Sequence, residues 1–344
     1  GVIYPERRIC HFGNTLLREM VLQDINFLLL PELHEKAEVV LEKAFGEPPS
    51  PSEVQQLAHH FYEARIWEPA FKYQLQAGLQ TWSVFETYTA RSYLETAKEI
   101  LDGPLQDKAA KDQVIACLKG LGDVYRHLGP FDQALDHYQS VLHLVENDPG
   151  QFADICWRIG VVHERQSHYN QAISWLDKGI NVLHAEKSEG EKITLSRLYM
   201  QHGLINVKQG NLDEAFNWAN KALITESAQA HNLLAVIHRT RGELEKALFH
   251  CDQSIALSES AGDLINLSKG HTNRGVVLVD LDRWKEAVQA YQKALELLID
   301  TGDAYVHAMT LGNLADIQRY LGDLDAAYET ARTALEESKI IDSE

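Results

Sequence analysis

Sixteen histidines and four cysteines are the residues of this 344-residue chain best suited to hold a metal or attack a substrate. Their spacing favours neither role. Cys10, Cys117, Cys156 and Cys251 are scattered, with no CxxC pair and no Cys/His ligand spacing, so reduced thiols packed inside helices are the expectation. Cys156 and His163 share one helix face, but both fall at positions that a packed core would take. His59 and His60 are adjacent and would point in different directions on a helix. The chain has no HExxH, no GxSxG, no dinucleotide-binding glycine turn, no EF-hand loop and no GxxxxGK[ST] phosphate cradle. Adjacent carboxylates such as Glu336 and Glu337 read as solvated surface. No catalytic residue, cofactor or metal is expected, and the chain reads as a non-enzyme.

What the elements must position is announced by a repeated phrase. It runs GPFDQALDHYQSVL (129–142), SHYNQAISWLDKGI (167–180), GNLDEAFNWANKAL (210–223), GELEKALFHCDQSI (242–255), DRWKEAVQAYQKAL (282–295) and GDLDAAYETARTAL (322–335). A weaker copy, RIWEPAFKYQLQAG, stands at 65–78. Self-similarity at this period signals a stacked repeat array in which no unit buries its apolar face alone. Each copy divides into two helices. In the second helix around 282–295, Ala287, Tyr291 and Ala294 share one face of a 3.6-residue period, and small Gly275 in the preceding helix allows close approach. Gly129, Gly210, Gly242 and Gly322 suit left-handed stops between the helices. Asp213, Glu214 and Asp325 favour the start of the next helix. In SAGD (260–263) and DTGD (300–303), glycine ends one pair and Asp263 or Asp303 caps the next.

The chain carries 32 Lys plus Arg against 50 Asp plus Glu, a net charge of −18. That argues against nucleic acid or an anionic membrane as partner. No apolar run approaches the ~20 residues of a membrane span, and no signal peptide opens the chain, so a cytoplasmic setting is expected. The chain starts at Gly1 rather than Met and could be a piece of a larger protein.

These residues resemble the tetratricopeptide repeat: a large–small pair and an aromatic in helix A, then Ala, aromatic and Ala in helix B. The matches include Leu121, Gly122, Tyr125, Ala134 and Tyr138; Ile159, Gly160 and Ala172; Gly203, Ala215 and Ala222. They continue through Leu234, Ala235 and Ala247; Gly275, Ala287, Tyr291 and Ala294; and Leu314, Ala315, Ala327 and Ala334. The resemblance implies an all-α, right-handed superhelical solenoid of antiparallel helix pairs. Residues 113–344 hold six repeats, 51–112 a degenerate helical repeat region around Leu57, Ala58, Phe61 and Ala70, and 1–50 a helical connector of two or three helices, one starting near Pro31 and stopping at Gly46.

The front of the chain loosely resembles the connector between ATPase core and repeats in bacterial STAND-class regulators, through His11, Leu17, Glu19, Leu33, His34, Ala37, Leu41, His59 and Ala70. That resemblance implies an inducer sensor whose ATPase core would precede Gly1, although the chain itself lacks the phosphate cradle. The alternative is a free-standing scaffold or peptide-pheromone receptor of the same repeat family. An apolar stripe on 325–340 with no polar cap after it fits an array that continues beyond Glu344.

The resemblance places helix A on the concave surface. Counted from each small residue, the inward face takes offsets −6, −3, −2, +1, +4 and +5. Nine of these 36 positions are basic (Lys119, Arg126, Arg158, Arg165, Arg197, Lys208, Arg239, Lys269, Arg319) and five acidic (Asp123, Asp154, Glu164, Asp280, Asp316). Trp157, Val161, Met200, Leu204, Val207, Leu233, Val236, Val276 and Val279 run between them, open either to a ligand or to neighbouring A helices. Gln201, Asn232, Asn273, Asn313 and Tyr320 complete the candidate groove. Amides can pair with both N–H and C=O of an extended backbone, and cations with carboxylates, so the expected partner is a peptide, a protein or a small anionic ligand.

Overall fold

The computed structural model describes residues 3–6, 9–12, 48–84, 86–183, 188–225, 227–301 and 304–343. Strands β1 (Ile3–Glu6) and β2 (Ile9–Phe12) pair antiparallel, Ile3 opposite Phe12 and Glu6 opposite Ile9. The expectation of a helical connector over 1–50 is corrected at these residues. Ile3, Tyr4, Ile9 and Phe12 are strand-favouring types, and Pro5 removes a donor that a helix interior needs. The helix expected from Pro31 to Gly46 and the connector residues Leu17, Glu19, Leu33, His34, Ala37 and Leu41 lie outside the described residues, as does the Asp303 cap. Every other described element is helical.

The chain divides into two compact units, 1–129 and 130–344, and the division falls within the first of the six sequence copies. Helices α1 (Pro51–Glu63), α2 (Trp67–Ser83), α3 (Thr87–Asp102) and α4 (Lys111–Leu128) build the first unit. Pro51 occupies the first turn of α1, where its missing N–H costs nothing, and the Glu53 carboxylate accepts the Ser50 N–H at 2.6 Å. Leu57, Ala58 and Phe61 are buried, Phe61 stacks on Tyr73 with ring centroids 5.3 Å apart, and Gln74 donates to the Ala58 carbonyl.

The second unit contains α5 (Phe131–Leu144), α6 (Pro149–Arg165), α7 (Tyr169–Val182), α8 (Glu189–Lys208), α9 (Leu212–Ala222), a 3-10 turn (Leu223–Thr225), α10 (Ala228–Thr240), α11 (Leu244–Ala261), α12 (Leu264–Asp280), α13 (Trp284–Thr301), α14 (Ala304–Tyr320) and α15 (Leu324–Ser343). Five helix hairpins, α6–α7 through α14–α15, stack in order, and the first helices of the hairpins also pack on one another. The repeated phrase sets the spacing. Ala172, Ala215, Ala247 and Ala287 are wholly buried at the helix crossings. A Cβ on Gly275 would stand 2.5 Å from the Tyr291 ring, so this crossing admits no side chain.

The first residue of the phrase is left-handed in all seven copies: Gly129, Gly210, Gly242 and Gly322, but also Arg65, Ser167 and Asp282 at φ of 57° to 60°. Six of these stops are Schellman closures, with the residue after the left-handed one donating five residues back, as Asn211 does to Asn206 and Arg283 to Leu278. At the seventh, Pro130 has no N–H to give, and Gly129 makes the single bond to the Tyr125 carbonyl instead. The Asp263 carboxylate caps α12 through the Asn266 N–H at 3.0 Å, after Gly262 ends α11 at φ 65°.

Candidate functional site

The first helices α8, α10, α12 and α14 of four successive hairpins bound a groove of about 440 Å3 within the second unit. Its apolar wall comes from Met200, Leu204, Leu233, Val236, Val306 and Met309, and its polar wall from Gln201, Gln229, Asn232, Asn266, Thr272 and Asn273, with Lys269 as the one charged lining residue. Eleven of these thirteen residues occupy offsets −6, −3, −2 or +1 from the small residue of their helix; Asn266 and Val306 lie one turn further upstream. Gly203 and Gly275 set the phase: each turns its small side toward a neighbour (a Cβ on Gly203 would lie 2.8 Å from Leu233), so the next turn faces outward.

The two central amides are paired with each other, Asn273 Nδ2 donating to Asn232 Oδ1 at 3.2 Å. That leaves the Asn232 amide hydrogens and the Asn273 carbonyl oxygen to meet a ligand, a donor and an acceptor side by side. Met309 is 44% exposed in the same groove, and Met200, Val236 and Lys269 are half-buried. Polarizable, unbranched methionines conform to apolar side chains of varied shape.

Outside the groove the stripe changes character. All five acidic residues of the candidate stripe bind basic residues of that same stripe. Glu164 of α6 pairs with Lys208 of α8, Arg239 of α10 with Asp280 of α12 at 2.5 Å, and Asp154 with both Arg158 at 3.0 Å and Arg197 at 3.9 Å. Arg319 stands 3.8 Å from Asp316 on α14, with its guanidinium 4.6 Å from the Tyr320 ring centre. Glu164–Lys208, Asp154–Arg197 and Arg239–Asp280 each tie one hairpin to the next. Arg158 and Arg197 both lie 5.4 Å from the centre of the Trp157 ring.

Of the residues expected to bind ligand, Gln201, Asn232, Lys269 and Asn273 line the groove. Trp157, Arg158 and Arg197 form the separate Asp154 cluster, and Arg239 and Arg319 sit in ion pairs. Arg165 is exposed at the end of α6, and Asn313 is half-buried on α14. Lys119 and Arg126 belong to the first unit, where Arg126 stands 3.3 Å from Asp123. Gln229, Thr272 and Met309, not singled out before, satisfy the same offset rule; Asn266 and Val306 needed one more turn of it.

Elsewhere the chemistry is quiet. Burial pushes the Cys117, Cys156 and Cys251 thiols up to about 12, far from the thiolate that nucleophilic attack needs. His231 and His250 share a hydrogen bond of 2.9 Å between their Nδ1 atoms, and His238 stacks on His250 with ring centroids 5.2 Å apart. Burial, aided by these two neighbours, lowers the His250 pKa to about 4. Among the described residues no group of three or more His, Cys, Asp or Glu is arranged to hold a metal ion, and no helix is long and apolar enough to cross a membrane.

Tetratricopeptide-repeat families match residues 116–151, 226–299 and 266–336, and these stretches carry such repeats. A kinesin light chain-related protein of Arabidopsis thaliana is 26% identical over 215 residues, 60% of this chain but only 28% of that protein's length. Among solved structures, the apo quorum sensor NprR of B. thuringiensis aligns with a TM-score of 0.64 at 14% identity, covering 94% of this chain and 91% of that one. A Rap protein complexed with competence and sporulation factor aligns at 0.63 and 14% identity, covering 95% and 92%. The Rap conjugation gene regulator of plasmid pLS20, in complex with the Phr* peptide, aligns at 0.61 and 14% identity, covering 83% and 76%. At this identity the likeness establishes the fold: a solenoid of tetratricopeptide-type helix pairs.

Proposed function

We propose that this array of tetratricopeptide repeats is a non-catalytic recognition module that binds an extended peptide segment in the groove between α8 and α14. The observation that carries the reading is the combination of an open apolar wall with the Asn232–Asn273 amide pair, which offers a donor and an acceptor side by side to a peptide backbone. Two solved proteins of the same fold hold a peptide or a signalling factor, which supports a peptide rather than a small metabolite as the occupant. A peptide-binding groove fits the alternative of a peptide receptor of the same repeat family. Coupling to an ATPase core of the STAND class rests on the loose connector pattern alone, and binding in the groove does not require it.

Substituting Val236→Arg places a long cation in the groove, and it should abolish retention of a synthetic peptide pool by the full chain. Leu264→Arg, at a residue 41% exposed that does not line the groove, should leave retention unchanged. Equal retention by the two variants would remove the groove from consideration.

A further inference from the structure

Each second helix of the array carries a stacking face that the next hairpin covers. On α13 the repeated phrase puts Trp284, Val288, Tyr291 and Leu295 on that face, and all four are buried or half-buried because α14 lies against α13. The matching positions on α11 are buried or half-buried in the same way beneath α12. On α15 these positions are Leu324, Tyr328, Ala331 and Leu335. Here all four are exposed, Leu324 at 64%, Tyr328 at 67% and Leu335 at 56%. A row of large apolar side chains over about three helical turns is a stacking face without its cover among the described residues.

What can cover it depends on which stacking faces remain open. The first helices α6, α8, α10, α12 and α14 each lie against the second helix before them, and the second helices α7, α9, α11 and α13 against the first helix after them. From α6 onward, among the described residues, the face of α15 is therefore the open one, and its pattern is self-complementary. Small Ala331 stands between Tyr328, three residues before it, and Leu335, four after it. Where two such helices cross antiparallel at Ala331, the small central side chains allow close approach, and Tyr328 of each copy packs on Leu335 of the other. Charge agrees with this arrangement. Asp325 and Lys339 flank the same side of the face, six residues before Ala331 and eight after it. Along one helix they stand ~21 Å apart, too far to pair. Across the antiparallel crossing, Asp325 of one copy comes level with Lys339 of the other to within ~3 Å.

From this we infer that a second copy of this chain docks on α15, the two α15 helices pairing antiparallel about a two-fold axis at Ala331 to form a homodimer. The contact continues the stacking that joins the hairpins within one chain and does not depend on what the groove binds.

The test measures the mass of the full chain by light scattering during gel filtration across a dilution series. It should approach twice the mass of one chain at high concentration and fall toward a single mass on dilution. Tyr328→Glu and Leu335→Glu, both at exposed positions, should each give a monomer at every dilution with helical circular dichroism unchanged. Ala331→Cys under mild oxidation should join two chains covalently, because a residue on the axis brings its Cα within ~4.4–6.8 Å of its counterpart. Thr333→Cys, exposed on the opposite side of α15, and the unsubstituted chain should not cross-link under the same conditions. A monomer throughout the dilution series overturns the inference. A dimer that persists in both glutamate variants overturns it by placing the contact elsewhere. A dimer lost in those variants that Ala331→Cys fails to cross-link also overturns it, since the axis then lies away from Ala331.

Discussion

The groove and the ion-paired stripe of the A-type helices teach different lessons. Within offsets −9 to +1, α8, α10, α12 and α14 line an open groove of amides, methionines and Lys269, while Arg197, also at −6 on α8, pairs with Asp154 instead. At offsets +4 and +5 acid and base on successive first helices are matched: Glu164 of α6 with Lys208 of α8, and Arg239 of α10 with Asp280 of α12. Charge alone does not distinguish the two regions. What separates them is whether an acid stands against the cation. Lys208, Arg197 and Arg239 each pair with an acid of the adjoining repeat and tie the stack together, whereas Lys269 lines the groove with no acid paired to it among the described residues.

Substitutions should separate the two regions in proportion to how tightly each is packed. Gly275→Ala drives a Cβ into the Tyr291 ring and should lower stability by about 3 kcal/mol, read as a fall in the denaturant midpoint. Its counterpart on the open face is Gly312, where an added Cβ meets nothing within 4 Å, and Gly312→Ala should stabilise by about 0.5 kcal/mol through helix propensity. Next comes the contrast between the two lysines. Lys208→Met strands the Glu164 carboxylate, whose side chain is only 6% exposed, and should cost about 2 kcal/mol. Lys269→Met strands nothing among the described residues and should leave stability within about 0.5 kcal/mol. Equal costs for the two would erase the distinction drawn here.

Acid should act on the histidine stack between α10 and α11. Because folding lowers the His250 pKa to about 4 from an ordinary 6.5, the unfolded chain takes up that proton first. Stability should therefore fall as pH drops from about 6.5 toward 4, with no contribution from this group at higher pH. His250→Gln should flatten the melting temperature over that window relative to the parent. The smallest effect concerns the left-handed stops. Asp282→Gly removes a strained φ of 57° and should raise stability by about 0.5 kcal/mol, measured by thermal melting.

Much of this was legible in the sequence because the repeat multiplies weak signals. The small residue of helix A fixes a phase, and that phase alone located Gln201, Asn232, Lys269 and Asn273. The glycine stops were equally readable, whereas the left-handed Arg65, Ser167 and Asp282 become visible only by position in the phrase. The charged stripe was legible as composition but not as contact. Offsets within one helix cannot reveal that position +4 of one repeat meets +5 of the next, because that depends on how far the stacked helices are rotated. Asn266 and Val306 were missed because the groove extends one helical turn beyond the signature residues. The β1–β2 hairpin was missed because no repeat phase reaches residues 3–12, and a few strand-favouring residues around Pro5 carry little signal alone.

The chain has three methionines, and two of them, Met200 and Met309, line the groove. Methyl-13C methionine NMR therefore reads the site with two signals, assigned by Met200→Leu and Met309→Leu substitutions. Titration with a pool of synthetic peptides should move the Met200 and Met309 resonances together. Peptide retained by the chain with both groove signals unmoved would contradict the account and place recognition elsewhere on the molecule.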